Sequence, residues 1–245
     1  MEHYLLYGMV TLFFSTLFSM GGVGSAVALV SVFPMMGMGF TLAKTLALFI
    51  NTSTMISTSV MNFRRGVLDW KFAMPLVIAL LISTPLGAWG SQFVDQGSLK
   101  LLLAGFLIVS AILLIFGKPK SRVADGNTLA MFLIGVLVGI VSGMIGVGGG
   151  ALIMPLLIML GYDAKKAAYA VSFVIPFSTM GSFVTYLQFV QMDYTLLAVV
   201  AVAAVLGGYL GGRIMHFKMS QAQIKKLIAL FLLVMAIKII IRSIL

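Results

Sequence analysis

Two glycine-rich breaks are the sequence features best suited to chemistry. The first is Gly21-Gly22-Val23-Gly24 and the second is Gly146-Val147-Gly148-Gly149-Gly150. Glycine permits positive φ angles and lets a ligand approach the backbone closely. A helix that starts after such a break presents unpaired N–H groups and the positive end of its dipole, which together bind anions. We therefore predict substrate contacts at Gly22, Gly24, Ser25, Gly148, Gly149 and Gly150; glycine used only for close helix packing is the alternative.

A dense run of polar side chains is the second feature. It starts at Asn51-Thr52-Ser53-Thr54 and extends to Asn62, and at helical spacing Asn51, Thr54, Thr58 and Asn62 share one face. Ser and Thr often serve only as packing contacts between membrane helices, but so dense a run facing lipid would be costly, which favours a pore-lining face. In the corresponding later segment, Pro176 is expected to open the helix locally. The side chains predicted to hydrogen-bond substrate oxygens are Asn51, Thr52, Ser172 and Thr179.

The elements that carry these residues must lie in a membrane. Of 245 residues, 61% are hydrophobic and only 9% are charged, whereas a soluble domain is roughly 25% charged. A soluble enzyme, a nucleic-acid-binding module and a disordered chain are therefore excluded. The net charge of +10 is better explained by cationic loops kept on the cytoplasmic side than by a nucleic-acid partner. The lipid bilayer is the expected surrounding.

The chain reads as two similar halves. Met20-x-Gly22-Val23-Gly24 matches Met144-x-Gly146-Val147-Gly148, and Gly39-Phe40 with Lys44 matches Gly161-Tyr162 with Lys166. This ordered set of matches indicates an internal duplication. We predict a first repeat at 1–117, a cytoplasmic linker at 118–127 and a second, inverted repeat at 128–245. The apolar segments are Leu5–Met36, Leu42–Phe63, Phe72–Gln92, Leu99–Phe116, Leu129–Leu160, Ala167–Phe189, Tyr194–Ile214 and Ile224–Ile241.

The distribution of Lys and Arg favours re-entrant hairpins at the two broken segments. If all eight segments span, the 16 Lys and Arg residues divide equally between the two sides. If the two glycine-broken segments return to the side they came from, the division becomes twelve inside to four outside, as the positive-inside rule expects. The limbs beside the second break, at 129–142 and 151–160, are also too short to cross a core of about 30 Å. The predicted fold is all-α, with each repeat made of one re-entrant hairpin and three transmembrane helices, and both termini extracytoplasmic.

Other chemistries are poorly supported. Every Asp and Glu is terminal or in a loop, the two His residues lie outside the apolar centres, and Cys is absent. We therefore predict no catalytic residues, no metal site and no cofactor, and we do not expect an enzyme. A nucleotide-binding loop is also a poor fit, because no Lys-Ser/Thr follows Gly146–Gly150.

The residues just described resemble the sulfite exporter TauE/SafE family of membrane permeases over nearly the full length. The resemblance rests on Gly143-Met144-Ile145-Gly146-Val147-Gly148-Gly149-Gly150, then Pro155, Gly161-Tyr162 and the segment from Ala167, and on the weaker first copy at Gly21–Ser25. It implies a multi-pass inner-membrane transporter of small sulfur-containing anions, such as sulfite or sulfonates. The first copy lacks the Gly-Gly-Gly run of the second.

The broken helices and inverted repeats are the layout of secondary transporters. The sequence thus predicts a permease or exporter that binds a small anion at the glycine breaks, at mid-membrane, and moves it by alternating access. An anion-selective channel or passive pore, and a non-transporting membrane scaffold, stay open as alternatives. Substrate identity, direction, coupling ion and oligomeric state are not fixed by the sequence.

Overall fold

The computed structural model describes residues 2–116, 128–218 and 220–244. Over these residues the chain is helical, with no β-strand. The predicted linker at 118–127 lies outside the described residues. The helices of the described ranges are α1 (Glu2–Ser19), α2 (Ala26–Met35), α3 (Phe40–Arg64), α4 (Trp70–Gly90), the 3-10 helix Ser91–Phe93, α5 (Gln96–Phe116), α6 (Thr128–Ile145), α7 (Gly150–Met159), α8 (Ala164–Leu187), α9 (Tyr194–Lys218) and α10 (Gln221–Ile244).

Several of these helices can cross a bilayer. Within the described residues, α4 continued by the 3-10 helix, α5, α8 and α9 are long and apolar enough to do so by length and composition. Helix α3 has 25 residues, which is also a spanning length, but its polar run lowers its apolar character. That run faces the protein, since Asn51, Thr54, Thr58 and Asn62 are all fully buried. The expected all-α, polytopic membrane protein is confirmed at this level.

Both glycine breaks separate two helices. The chain leaves α1 at Ser19 and enters α2 at Ala26, and it leaves α6 at Ile145 and enters α7 at Gly150. Side chains rarely adopt the left-handed backbone that these turns require, so glycine is needed there. The glycines with positive φ inside the breaks are Gly22, Gly24, Gly146, Gly148 and Gly149.

Helix α2 runs back along α1. The ring of Tyr7, near the start of α1, packs against Phe33, near the end of α2, with 5.3 Å between centroids. At the other end of the pair, Ser15 Oγ lies 3.2 Å from Ser25 Oγ. The ten residues of α2 therefore return the chain toward the level at which α1 began.

Helix α7 likewise returns toward the start of α6. Helix α6 runs alongside α4 in the same direction, since Gly135 packs on Ala79 and Gly143 packs on the Thr84 carbonyl. After α7, the ring of Tyr162 packs on Phe72 in the first turn of α4, at 4.5 Å between centroids. The chain is thus back at the level where α4 and α6 begin.

The contacts define two ends of the helix bundle. We call face A the end where α1, α3, α5 and α9 begin, and face B the end where α4, α6, α8 and α10 begin. On face A, Tyr4 Oη donates to the Asp193 carboxylate at 2.8 Å, and this hydrogen bond holds the pKa of Asp193 below its usual value. On face B, Lys166 Nζ lies 3.4 Å from the Asp69 carboxylate. Both contacts join residues from different halves of the chain.

Helices α3 and α8 cross in opposite directions at the centre of the bundle. Lys44 contacts Tyr186 at 3.0 Å, Thr52 contacts Thr179 at 2.7 Å, and Asn62 contacts Ser172 at 3.0 Å. As the numbers rise along α3, those of the partners fall along α8.

Small residues allow the outer helices to approach closely. Helix α1 lies parallel to α9, where Ser19 Oγ donates to the Gly207 carbonyl at 3.2 Å. A Cβ on Gly208 would overlap the Thr54 carbonyl, and one on Gly87 would overlap the Ile140 carbonyl. These glycines serve close helix packing. Gly90 differs, because a Cβ there would meet no heavy atom within 4 Å.

Candidate functional site

The two glycine breaks meet on a single side chain of α3. A Cβ built on Gly24 would overlap Asn51 Oδ1, and a Cβ built on Gly148 would lie 3.2 Å from Asn51 Nδ2. The Asn51 side chain is 0% exposed. Residues that are far apart in the sequence, one from each break, therefore converge on one buried amide.

The breaks also contact each other directly. A Cβ on Gly150, the first residue of α7, would lie 2.6 Å from the Val23 carbonyl oxygen in the first break. On the other side, Ser178 of α8 donates its hydroxyl to the Gly148 carbonyl at 3.2 Å. The second break is thus held between α8 and the first break.

Both helices that start at the breaks have uncapped N-termini. Around the first break, the backbone hydrogen bonds stop with the N–H of Val23 and resume with that of Ala28. Around the second break, they stop with Val147 and resume with Leu152. Neither N-cap residue supplies a side-chain hydrogen bond. The N–H groups of 24–27 and 148–151 therefore have no acceptor among the described residues.

These two N-termini face each other. Helix α2 runs from its break toward face A, and α7 runs from its break toward face B. The first-turn N–H groups of a helix point beyond its N-terminus, so the two sets point toward the region between the breaks. Each terminus carries about half a positive charge. Two such ends pointing at one place favour an anion between them.

The Asn51 amide has no hydrogen-bond partner. Both Oδ1 and Nδ2 are buried and unpaired in the described structure. Leaving a buried polar group unpaired costs about 1–3 kcal/mol, and such groups call for an explanation. A ligand that accepts hydrogen bonds from the backbone and from Nδ2 would remove part of that cost.

Two threonine hydroxyls lie beside the amide. Thr52 and Thr179 are buried, with their Oγ1 atoms 2.7 Å apart. A Cβ on Gly148 would overlap Thr179 Cγ2, so Thr179 also touches the second break. Asn51, Thr52, Thr179, Gly24, Gly148 and Gly150 thus form one cluster, which we call the glycine site.

Other residues expected at this site point elsewhere. The Ser172 hydroxyl lies about two helical turns from Thr179 on α8, where it accepts from Asn62 Nδ2 at 3.0 Å. The Ser25 hydroxyl lies against Ser15, although its N–H belongs to the uncapped set. Gly22 packs on the Ala168 carbonyl.

Gly149 lies on the outer side of the second break. A Cβ there would sit 3.1 Å from Ser142 Oγ and 3.3 Å from Val138 Cγ1, both on α6. A side chain at this position would therefore face α6, whereas the Gly149 N–H is one of the backbone donors without an acceptor among the described residues.

Helix α8 stays continuous through Pro176, contrary to the expected local opening. Proline removes one backbone donor, which leaves the carbonyl four residues earlier without its usual partner. That carbonyl belongs to Ser172, and Ser59 of α3 donates its hydroxyl to it at 2.6 Å. The bond from α3 replaces the missing one, so the helix need not unwind.

The polar side chains of α3 form two groups, one that contacts neighbouring helices and one that lies at the glycine site. Thr54 donates to Ser15 Oγ at 2.9 Å, and Thr58 lies 3.1 Å from the Gly208 carbonyl. These two hydroxyls join α3 to α1 and α9, so they are packing contacts. Only the part of the run at Asn51 and Thr52 reaches the glycine site.

Lys44 is a buried residue that the sequence analysis did not select. By sequence it counts as a charge on the outer side, but the side chain is only 2% exposed. Its Nζ donates to Tyr186 Oη at 3.0 Å and lies 3.4 Å from the Met144 carbonyl. The sequence offers one indication that Lys44 lies within a helix. It follows Gly39 by only five positions and falls inside the first turns of α3.

Comparison with known proteins decides the family. The family model described as sulfite exporter TauE/SafE matches residues 6–239. The chain belongs to this family.

Individual relatives agree with this assignment. The TauE/SafE chain is 31% identical over 193 residues to a probable membrane transporter protein of Methanocaldococcus jannaschii, covering 75% of this chain and 71% of that one. It is 27% identical over 202 residues to a probable membrane transporter protein of Bacillus subtilis, covering 79% and 81%. A shorter match joins it to sulfite exporter TauE/SafE family protein 1 of Arabidopsis thaliana, 38% identical over 61 residues, which is 25% of this chain and 14% of that one. The protein is therefore a multi-pass membrane transporter of the TauE/SafE type.

Proposed function

We propose that this transporter carries small sulfur-containing anions, such as sulfite or organosulfonates, and binds them at the glycine site. The observation that carries the proposal is the unpaired Asn51 amide, held between two helix N-termini whose first N–H groups lack acceptors. An oxyanion presents several oxygen atoms that only accept hydrogen bonds, which suits this set of donors. The family description and the Arabidopsis relative both name sulfite.

The donors at the site are neutral. In the described chain, no three His, Cys, Asp or Glu residues come close enough to hold a metal ion. The donors of the glycine site are backbone and amide N–H groups. They can bind an anion without a strong ionic bond, and a strong ionic bond would slow the release of the anion. Any coupling would use backbone carbonyls such as that of Val23, the threonine hydroxyls, or a proton carried by the substrate.

The two halves are proposed to be inverted repeats, 1–117 and 128–245, joined by the linker at 118–127. Each contains one hairpin, α1–α2 or α6–α7, and three further helices. The opposite directions of α3 and α8 and the opposite faces from which the two hairpins enter support this arrangement. Repeats of this kind can exchange conformations, which is the basis of alternating access.

Burial of the glycine site favours a carrier over a pore. Val23, Asn51 and Thr179 are each 0% exposed, so the site is closed to both faces in this conformation. A bound anion could leave only after the packing around the breaks changes. A passive pore would instead need a continuous opening, and a scaffold would need no unpaired donors in its interior.

We place the protein in the inner membrane with face A outside and face B in the cytoplasm. Face B carries most of the described Lys and Arg residues, as the positive-inside rule requires of a cytoplasmic side. Those on face B are Arg64, Arg65, Lys71, Lys165, Lys166, Arg213 and Lys226, and those on face A are Lys44, Lys100 and Lys238. Both termini then lie outside.

Flux of sulfite and methanesulfonate into proteoliposomes tests the proposed function. The wild type should show saturable flux and countertransport, and Asn51→Leu, which keeps the branched shape without the donors, should lose most of it. Gly105→Leu is the matched control, because a Cβ on Gly105 meets no heavy atom within 4 Å. Flux that does not saturate would favour the pore, flux unaffected by Asn51→Leu would place binding elsewhere, and no flux of either anion would reject this substrate class.

A further inference from the structure

Lys44 is a buried cation without an acidic partner. Among the described residues, no carboxylate lies within 4.0 Å of its Nζ, and the one ion pair described joins Lys166 to Asp69 on face B. Taking an ammonium group out of water is expensive unless other groups compensate. The compensation here is only partial, so the position of Lys44 requires an explanation.

The hydrogen-bond partners described for Lys44 Nζ are neutral. Its Nζ lies over the ring of Tyr186, 4.4 Å from the centroid. The Tyr186 hydroxyl in turn lies 2.9 Å from the Gly143 carbonyl and 2.7 Å from the Met144 carbonyl. These carbonyls belong to the last turn of α6, the negative end of its dipole, which stabilises a cation weakly. These neutral contacts leave the charge of a protonated Lys44 largely unneutralised.

Lys44 lies close to the second glycine break. A Cβ on Gly146 would lie 2.8 Å from Lys44 Cβ, so the stem of the lysine packs against the break. Asn51 follows on the same helix, seven residues later, which corresponds to about 10 Å. Lys44 therefore stands between the glycine site and face A.

A cavity on face A reaches Phe40, whose ring lies beside Lys44. Its volume is about 400 Å³, and its lining includes Gln96, Lys100 and Phe40. Phe40 is largely buried, and its ring centroid lies 5.3 Å from Lys44 Nζ and 5.6 Å from Lys100 Nζ. Two ammonium groups that share one ring repel each other. An anion beside that ring would relieve the repulsion.

We infer that Lys44 and Lys100 form a second anion subsite, which receives the oxyanion from the face A cavity and passes it by Phe40 toward the glycine site. This inference rests on the proposed function, because it assigns one more station on the same route. The ligand is a small oxyanion with one or two negative charges. Lys100, which is half-buried at the cavity, attracts it, and Lys44 holds it beside the break.

The subsite exists on one face only. By sequence spacing, Lys166 in the second half matches Lys44, but Lys166 is exposed and paired with Asp69 at 3.4 Å. Its ammonium group therefore has its own counter-ion and offers no comparable buried charge. Lys166→Met is for this reason the matched control for Lys44→Met.

The first experiment measures anion binding in detergent by titration calorimetry with sulfite and methanesulfonate. The Asn51→Leu background removes the amide donor of the glycine site but leaves the lysines in place. That protein should still bind one anion, and adding Lys44→Met should abolish this binding, while adding Lys166→Met should not. Loss of all binding in Asn51→Leu alone would mean that one site exists, which overturns the subsite and leaves the proposed function intact.

The second experiment measures flux. Lys44→Met should raise the KM about tenfold or more, since a hydrogen bond to a charged group is lost, and Lys44→Arg should restore much of the affinity. Lys100→Gln should raise the KM less and weaken its dependence on salt. If the wild type transports the anion and both lysine variants match it, the subsite is wrong and the proposed function stands. If the wild type neither binds nor transports either anion, both are wrong.

Folding of the lysine variants is checked independently. Replacing a buried charge by an apolar side chain of similar length is often neutral or stabilising, so Lys44→Met should retain the thermal unfolding temperature and elution profile of the wild type. If Lys44→Met does not fold, Lys44→Gln and Lys100→Gln are used for the same binding and flux measurements.

Discussion

The hydroxyl oxygens of Thr52 and Thr179 lie 2.7 Å apart where α3 crosses α8. Each hydroxyl also lies within hydrogen-bonding distance of a carbonyl of its own helix, Leu48 for Thr52 and Ile175 for Thr179. A hydroxyl has one proton, so the pair can share only two donated bonds among these contacts. The crossing thus has a hydrogen bond that can form or break without leaving either threonine unpaired, which would suit the proposed alternating access.

The first prediction concerns this threonine pair. Thr52→Val and Thr179→Val each remove a hydroxyl while keeping the branched shape. If the pair forms a hydrogen bond in the folded protein, a double-mutant cycle should give a coupling energy of about 0.5–1.5 kcal/mol in thermal or denaturant unfolding. A coupling of zero would mean that each hydroxyl bonds only to its own helix.

The second prediction separates the site from the packing on α3. Asn51→Leu should abolish most flux without lowering the unfolding temperature, because the amide it removes has no partner in the folded state. Thr58→Val is the control on the same helix. Thr58 bonds to the Gly208 carbonyl at 3.1 Å, so its loss should cost about 1 kcal/mol of stability and leave the KM unchanged. If Asn51→Leu instead lowered the unfolding temperature and kept its flux, Asn51 would have a structural role.

The third prediction tests the fit of the second break against α8. Gly148→Ala should abolish transport and destabilise the protein, because Gly148 has positive φ and a Cβ there overlaps Thr179 Cγ2. Thr179→Ser removes that methyl group and keeps the hydroxyl. The double variant should therefore recover part of the lost stability, whereas the backbone strain, of about 1–2 kcal/mol, remains.

Gly66→Ala controls for that strain. Gly66 also has positive φ, but a Cβ there meets no heavy atom within 4 Å. Gly66→Ala should therefore lose stability through the backbone strain alone, and it should retain flux. Should Gly66→Ala stop transport as well, general destabilisation would account for the Gly148 result.

The fourth prediction concerns the glycines between helices. Gly87→Ala should destabilise the protein by about 1–3 kcal/mol, since a Cβ on Gly87 would overlap the Ile140 carbonyl and force α4 away from α6. Gly105→Ala in α5, where a Cβ meets open space, should stabilise it by about 0.5–1 kcal/mol through the lower entropy of its unfolded chain. If Gly87→Ala and Gly105→Ala changed the thermal unfolding temperature equally, the close packing of α4 on α6 would be contradicted.

The fifth prediction concerns orientation. The chain has no Cys, so single Cys substitutions can be labelled without removing native thiols. An impermeant thiol reagent added to intact cells should label Ser98→Cys and Gln191→Cys, which are exposed on face A in different halves. It should label Lys71→Cys and Lys165→Cys on face B only after the cells are opened. Labelling of Ser98→Cys and Lys71→Cys from the same side would contradict the two faces.

The helix breaks were within reach of sequence reasoning, because they depend on local chemistry. Clustered glycines in an apolar segment predict a break, and the observed helices begin at Ala26 and Gly150, at the ends of the two glycine runs. Neither requires knowledge of distant contacts. The continuous helix at Pro176 was missed for the opposite reason, since the Ser59 hydroxyl that compensates for it comes from another helix.

The membership of the site depended on information that spacing does not contain. Ser172 and Thr179 are seven residues apart and lie on one face of α8, so both are equally good candidates by pattern. Only the point at which α8 crosses α3 places Thr179 beside Gly148 and Ser172 beside Asn62. Lys44 is similar, because its main polar partner, Tyr186, is 142 residues away.

The contact between Ser19 and Gly207 has a consequence for synthesis of the chain in the bilayer. The two residues are 188 positions apart, so at about 5–20 residues per second the hairpin α1–α2 waits roughly 10–40 s for the helix on which it packs. During that interval Ser19 can bond to the Thr16 carbonyl at 3.2 Å, and Thr16 to the Leu12 carbonyl at 2.8 Å. The nascent hairpin thus keeps these hydroxyls satisfied in lipid until α9 emerges from the ribosome.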